Sequence, residues 1–229
     1  MVSALARSFT DMQTRTCLVL MFKSPDRSKQ RLTAEIGARA RTAAEHLLAC
    51  ALADLAAWPG PTCLAPAQSR DMRFISAGDR HADICASQGS GNLGERIETV
   101  NATLLEAGYE QQIFIGIDCP ALDTDYYSRA DSSLQQANVV LGPAEDGGVV
   151  LMGVRGRWPA LAGLPWSTAA LKSELMRSCK RAALRIAMLE PHNDVDRACD
   201  LRALSDRLAD DQRPSRQRLR EWINSESLV

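Results

Sequence analysis

Short apolar runs alternate along the chain with longer stretches whose apolar residues fall at helical spacing. From Thr16 to Phe22 the run reads as a first strand buried on both faces. A short polar loop follows, then Ala38 to Trp58 places Ala and Leu at helical spacing and stops at Pro59-Gly60. Pro61 to Ala65 predicts a second strand, whereas residues from Gln68 to Gly91 are too mixed to assign. Leu93, Ile97, Val100, Leu104 and Leu105 share one helical face, with Gly108 where a glycine past the C-cap belongs. Gln112 to Ile117 is strand-like and ends at Asp118-Cys119-Pro120. Asp123 or Thr124 is placed to cap a helix running to about Gln136. Asn138 to Gly142 and Val149 to Val154 form two apolar strands around a Pro-Ala-Glu-Asp-Gly-Gly turn. Ser167 is predicted to cap a helix reaching Cys179, Leu184 to Leu189 a last strand, and another helix follows Asn193-Asp194-Val195-Asp196.

Strands alternating with helices imply an α/β architecture: a parallel sheet, right-handed crossovers and helices on both faces. Ligands of such sheets collect outside the carboxyl ends of the strands. No repeat or linker divides the chain, and 229 residues suit one α/β domain with a sizeable core. The expected layout is an N-terminal extension over 1–15, one domain over 16–209, and an arginine-rich tail or surface helix over 210–229.

Composition narrows the function classes. Hydrophobic residues make up 45% and charged residues 24%, which places the chain among globular proteins and away from disorder. With 27 basic against 28 acidic residues, no field favours nucleic acid or an anionic membrane as the main partner. No stretch is long and apolar enough to span a bilayer. Arg7, Asp11 and Arg15 interrupt the first residues, which makes a poor signal peptide. The seven cysteines are odd in number, scattered and without a Cys-x-x-Cys pair, so they read as reduced core thiols of a cytoplasmic protein. Sparse aromatics mark no exposed interface, leaving monomer or homodimer.

Three polar clusters fall at or just after predicted strand ends. Residues 23–32 (KSPDRSKQRL) put four cations after the first strand, read either as a phosphate-neutralising loop or as a solvated surface. Asp118, at the tip of an apolar strand, is placed either to hold a hard cation bridging phosphate oxygens or to cap a turn. Asp194 and Asp196 offer a second carboxylate for such a cation, with helix capping as the other role, favoured for Asp196. Gly147-Gly148 makes a turn over which a sugar or base can approach closely. Gln88 to Gly94 is a glycine-rich lead into a helix without the clean preceding strand of a dinucleotide fingerprint. There is no P-loop and no Gly-x-Ser-x-Gly elbow.

In order, KSPDRSKQRL (23–32), QGSGNLGERI (88–97), IGIDCPAL (115–122), VVLGPAEDGGVVLMGV (139–154), PWST (165–168) and DVDRACDL (194–201) resemble a small bacterial GT-A family. That family is known as arsenosugar-biosynthesis or selenium-domain-associated glycosyltransferases, and is similar to 2-phospholactate guanylyltransferases and, more distantly, molybdenum-cofactor guanylyltransferases. The resemblance spans about residues 17 to 204 and is strongest at Asp118-Cys119-Pro120 and at Gly142 to Gly148. It implies a three-layer α/β/α nucleotide-diphospho-sugar-transferase-like, Rossmann-like fold with a mostly parallel mixed sheet. It implies Mg²⁺, or alternatively Mn²⁺, on Asp118 and one of Asp194 and Asp196. Lys23, Lys29 and Arg31 would face a triphosphate, and Gln88, Gly94 and Arg96 would sit near base or acceptor. Pro143, Glu145, Asp146, Gly147 and Gly148 would complete the nucleotide site.

The family commonly has Pro-x-x-Gly before Lys-Thr-Arg-Leu. This chain has a shorter loop with Asp26, and Gln30 in the threonine place, which matches the guanylyltransferase pattern without a gap. The expectation is therefore nucleotidyl transfer from a nucleoside triphosphate to a small phosphate- or phosphonate-type acceptor, releasing pyrophosphate. The alternatives are glycosyl transfer from a nucleotide sugar and a non-catalytic nucleotide-binding protein.

Overall fold

The computed structural model describes residues 16–75 and 82–226; the expected extension over 1–15 lies outside them. Seven strands form one sheet: β1 (Cys17–Phe22), β2 (Thr62–Pro66), β3 (Ile84–Cys85), β4 (Gln111–Ile115), β5 (Val139–Pro143), β6 (Val149–Arg155) and β7 (Ile186–Met188). Their spatial order is β3-β2-β1-β4-β6-β5-β7. Every pairing is parallel except those of β6, which runs antiparallel to both β4 and β5. The reason is local. Only the five residues Ala144–Gly148 join β5 to β6, enough for a hairpin and far too few for a parallel crossover.

Along β1 the side chains alternate between two cores. Leu18, Leu20 and Phe22 pack on one face and Cys17 and Val19 on the other, all out of contact with water. The first face carries α1 (Gln30–Ile36), α2 (Arg39–Ala57), α4 (Thr124–Leu134), α6 (Ala198–Arg207) and α7 (Pro214–Ser225). The second carries α3 (Leu93–Glu106) and α5 (Leu171–Arg181). The result is the three-layer α/β/α fold with a mostly parallel mixed sheet. Five of the seven thiols are buried, as small core residues should be.

Several boundaries differ from expectation for identifiable reasons. The polar loop after β1 is shorter than predicted, because α1 begins at Gln30 and buries Leu32 and Ile36. Ser167 does not cap a helix. It has φ 62, and α5 starts four residues later, where the Lys172 N–H donates to the Gly147 carbonyl at 3.0 Å. The glycine turn thus satisfies a helix-end donor that the sequence assigns to a serine.

The C-terminal segment is a docked helix. Leu219, Ile223 and Arg216 of α7 are fully buried against α2 and α6. Arg216 donates to Asp54 Oδ2 at 2.6 Å, to the Cys50 carbonyl at 2.7 Å and to the Pro120 carbonyl at 3.0 Å. Tyr127 donates its hydroxyl to the same Asp54 oxygen at 2.8 Å, and Arg213 reaches the Leu122 carbonyl at 2.8 Å. Burial pushes the Asp54 carboxyl up from its ordinary value, while Arg216, Tyr127 and Arg213 pull it back. Removing the guanidinium takes away the largest of these compensations and leaves the buried acid with Tyr127 and Arg213 alone. Arg216→Met should therefore lower stability by roughly 3–5 kcal/mol in urea unfolding, and the Arg216→Met/Asp54→Ala double variant should lose less than the sum of the singles.

His46 of α2 lies 5.5 Å from Trp222 of α7, ring to ring. Burial first, and Arg218 second, hold it below the usual 6.5, with Glu45 opposing. The unfolded chain then takes up the proton first, so this contribution is complete above 6.5 and is lost as pH falls through the depressed value. Melting temperature should fall on acidification from about pH 7 to about pH 5, and less steeply in His46→Gln.

Candidate functional site

A cleft of about 810 Å³ opens at the carboxyl ends of β1 and β4, within the range of small-ligand sites. Its first wall is the loop after β1. Pro25–Arg27 form a short 3₁₀ turn, and Arg27 Nη2 grips both oxygens of the buried Asp71 at 2.6 and 2.8 Å. Arg27 is thereby committed to holding the loop down. Lys23 lines the cleft and is exposed.

Lys29 takes the central position. Its backbone is left-handed, φ 56 and ψ 44, at the boundary of α1. Its ammonium contacts the carboxylate of Asp118 and the carbonyl of Val195, and lies 3.5 Å from Asp196 Oδ1. The lysine side chain is 3% exposed, against 48% for Asp118 and 39% for Asp196. Arg31 reaches the other Asp196 oxygen at 3.0 Å. The two acidic segments are also laced by backbone, since the Val195 N–H donates to the Asp118 carbonyl at 2.8 Å.

The strand tip differs slightly from expectation. β4 ends at Ile115, and Asp118 lies three residues beyond, in the loop whose Pro120 carbonyl is held by Arg216. Asp196 is not the helix cap that its sequence context favours. Asp200 caps α6 instead, accepting from the Asp196 and Arg197 N–H groups at 2.9 and 2.7 Å, which leaves the Asp196 carboxylate free to turn toward Lys29. Asp194 does not line the cleft; it faces a cavity of about 20 Å³ with Asn193, Asp200 and Arg207. Its carboxyl is pushed up to about 6, first by burial, then by Asp146, Asp196 and Asp118.

The remaining predicted positions divide sharply. Gln88 lines the cleft but is buried, donating Nε2 to the Ala65 carbonyl at 2.6 Å and so tying the end of β2 to the glycine-rich segment. Arg96 lines the cleft, with Nε on the Gly91 carbonyl at 2.9 Å. Gly94 is not in the cleft. A Cβ there would meet the Leu161 carbonyl oxygen at 2.3 Å, so this glycine lets α3 pack against the loop before α5. Asp146 and Gly148 line the cleft, with the Gly148 N–H on Asp146 Oδ1 at 2.8 Å; Pro143, Glu145 and Gly147 do not. Gly147 has φ 94, and a Cβ would stand 2.3 Å from the Ala169 carbonyl oxygen, so it seats the turn on the start of α5.

Trp166, Ser167 and Thr168 close the far wall. They lie in the quoted PWST segment, and only their chain position hinted at a role. Asp54 and Tyr127 reach the cleft floor from α2 and α4, and no local signal marks them.

The donor set fits a hard divalent cation. Two carboxylates converge on one point already occupied by positive charge, and Mg²⁺ or Mn²⁺ commonly uses one or two carboxylates with phosphate oxygens and water completing the shell. Among the described residues no three His, Cys, Asp or Glu side chains group as a complete protein-only site. Also among them, no helix is long and apolar enough to cross a membrane.

A family model described as an uncharacterized protein conserved in bacteria (DUF2064) matches residues 35–168. The chain belongs to that family. The match takes in Asp118 and the glycine turn, whereas Lys29 and Asp196 lie outside it. Among solved structures, this DUF2064 protein is similar to a candidate nucleotide-diphospho-sugar transferase from Desulfovibrio desulfuricans G20. The identity is 23%, coverage is 93% of this chain and 96% of that one, and the TM-score is 0.81. It is also similar to CMP:2-keto-3-deoxy-manno-octonic acid synthetase complexed with CTP, at 12% identity, covering 86% and 99%, with TM-score 0.53. A third is 4-diphosphocytidyl-2C-methyl-D-erythritol synthase from Anaerococcus prevotii DSM 20548, at 9% identity, covering 89% and 99%, with TM-score 0.50. At these identities the likeness is one of fold. No curated protein matches the chain.

Gly94→Ala tests the packing assignment. The added carbon meets backbone, so the variant should lose about 1–3 kcal/mol of stability, read as a lower urea midpoint.

Proposed function

We propose that this DUF2064 protein is a divalent-metal-dependent nucleotidyltransferase. The observation that carries the reading is the meeting of Asp118 and Asp196 around one cation at the carboxyl edge of the sheet, inside a cleft of nucleotide size. The short loop after β1, matching the guanylyltransferase pattern, favours attack on a triphosphate. Neighbours of the same fold whose names are those of cytidylyl-transferring synthetases support it, one of them in complex with CTP.

In this reading an anionic oxygen of a small phosphate- or phosphonate-type acceptor attacks the α-phosphorus. An O–P bond forms, the bond to the β-phosphate oxygen breaks, and pyrophosphate leaves with the electron pair. Asp118 and Asp196 hold Mg²⁺ or Mn²⁺, which supplies neutralisation of the phosphate charge. Lys23, Lys29 and Arg31 stand on the phosphate side. Arg96 and Gln88 flank the base or acceptor side, and Asp146 and Gly148 form the opposite wall. Positioning and charge stabilisation are the protein's main contributions to such a transfer. Glycosyl transfer is the second reading, favoured by the side-chain-free Gly148 in the cleft wall, where a sugar can lie close.

The decisive incubation supplies each nucleoside triphosphate or each nucleotide sugar with Mg²⁺ and a panel of phosphorylated acceptors. Pyrophosphate release is expected; nucleoside diphosphate release from a nucleotide sugar would establish glycosyl transfer instead, and binding without turnover a non-catalytic protein. Asp118→Ala should abolish pyrophosphate release in a protein that still melts cooperatively, at a lower temperature because the nearly buried Lys29 ammonium loses a partner. Full activity in that variant would sink the proposal.

A further inference from the structure

We propose that Lys29 makes the Asp118–Asp196 pair accept a divalent cation only as its complex with a polyphosphate, because its ammonium holds the cation's place until phosphate arrives to receive it. The inference rests on the nucleotide reading above and adds to it the form in which the ligand enters.

The position is physical and specific. One ammonium touches Asp118 and the Val195 carbonyl and lies 3.5 Å from Asp196, with its side chain 3% exposed. A cation placed between the same carboxylates would overlap it. The charge count then sets what can enter. Asp118 and Asp196 bring two negative charges, and Lys29 and Arg31, both paired to them, bring two positive charges. These four charges cancel, and although Asp146 and Asp194 stand nearby, a bare dication must drive a desolvated ammonium off its partners with nothing to receive it. A metal–polyphosphate complex carries net negative charge and supplies oxygens that take over the displaced ammonium.

The backbone at Lys29 is held from several sides. Lys29 is a non-glycine residue in the left-handed region, at the junction between the 3₁₀ turn and α1. That conformation costs about 1–2 kcal/mol and persists where surrounding contacts impose it. The ion pairs of the Lys29 side chain, the Thr33 bonds to its carbonyl and the buried Leu32 and Ile36 all hold this junction.

The test is Mn²⁺ binding, followed by the electron paramagnetic resonance signal of the free ion, in wild type and Lys29→Met, without nucleotide and with α,β-imido nucleoside triphosphates. Without nucleotide, Lys29→Met should bind Mn²⁺ at least about ten-fold more tightly than wild type. With the analogue, wild type should gain far more Mn²⁺ affinity than the variant. The Lys29→Met/Asp118→Ala double variant should fall back to the weak wild-type level. Equal or weaker Mn²⁺ binding by Lys29→Met alone overturns the inference, and so does tight binding that survives in the double variant, since the ion would then sit elsewhere. If those results come with nucleotide-dependent Mn²⁺ binding intact, the transferase reading stands. If neither protein binds Mn²⁺ even with the analogue, that reading fails and the inference falls with it. Thermal melts confirm folding, and Lys29→Gln replaces the Met variant should it fail to fold.

Discussion

A single ammonium group decides the geometry at one end of the cleft. Without Lys29, the carboxylates of Asp118 and Asp196 would face each other across a small gap, with Asp146 and Asp194 adding to the same acidic end. Like charges at that range repel, and the upward push on Asp194, due first to burial, is increased by Asp146, Asp196 and Asp118. Lys29 turns the repulsion into a closed ion-pair set and draws the loop after β1 across to the loops after β4 and β7. That bridge closes one end of the cleft.

The bridge works because its ends are fixed from behind. The loop bearing Asp118 has its Pro120 and Leu122 carbonyls held by Arg216 and Arg213 of α7. The opposing segment is held by its hydrogen bond from Val195 to Asp118 and by the Asp200 cap of α6. On the first wall, Arg27 clamps the loop to buried Asp71. Most of these supports use charge-assisted hydrogen bonds, with Arg216 and Asp71 fully buried. The exposed carboxylates in the middle are left as the groups able to change partners.

The far wall is organised by glycine. Gly147 lets the β5–β6 turn seat against Ala169, and its carbonyl accepts from the start of α5. That contact fixes where α5 begins, and with it the path of Trp166 to Thr168 along the cleft. Gly94 does the same between α3 and the Leu161 carbonyl. Both glycines lie in segments that look like ligand-binding motifs, yet their lack of a side chain is used for packing.

Sequence by itself determined the alternation of strands and helices, the α/β fold class, five of the seven thiols as core residues, and the strand-end clusters around Lys29, Asp118 and Asp196. Those features follow from local periodicity and from where polar residues interrupt apolar runs, which neighbours in the chain decide. Tertiary structure alone decided that Asp196 rather than Asp194 meets Asp118, that Asp200 takes over the cap, that Arg27 is spent on Asp71, and that α7 packs into the core through Arg216. Those outcomes turn on which charged groups are brought together from distant parts of the chain. A charged residue reads the same in sequence whether its partner is water, a helix end or an ion, and only the packed sheet and helices select among them.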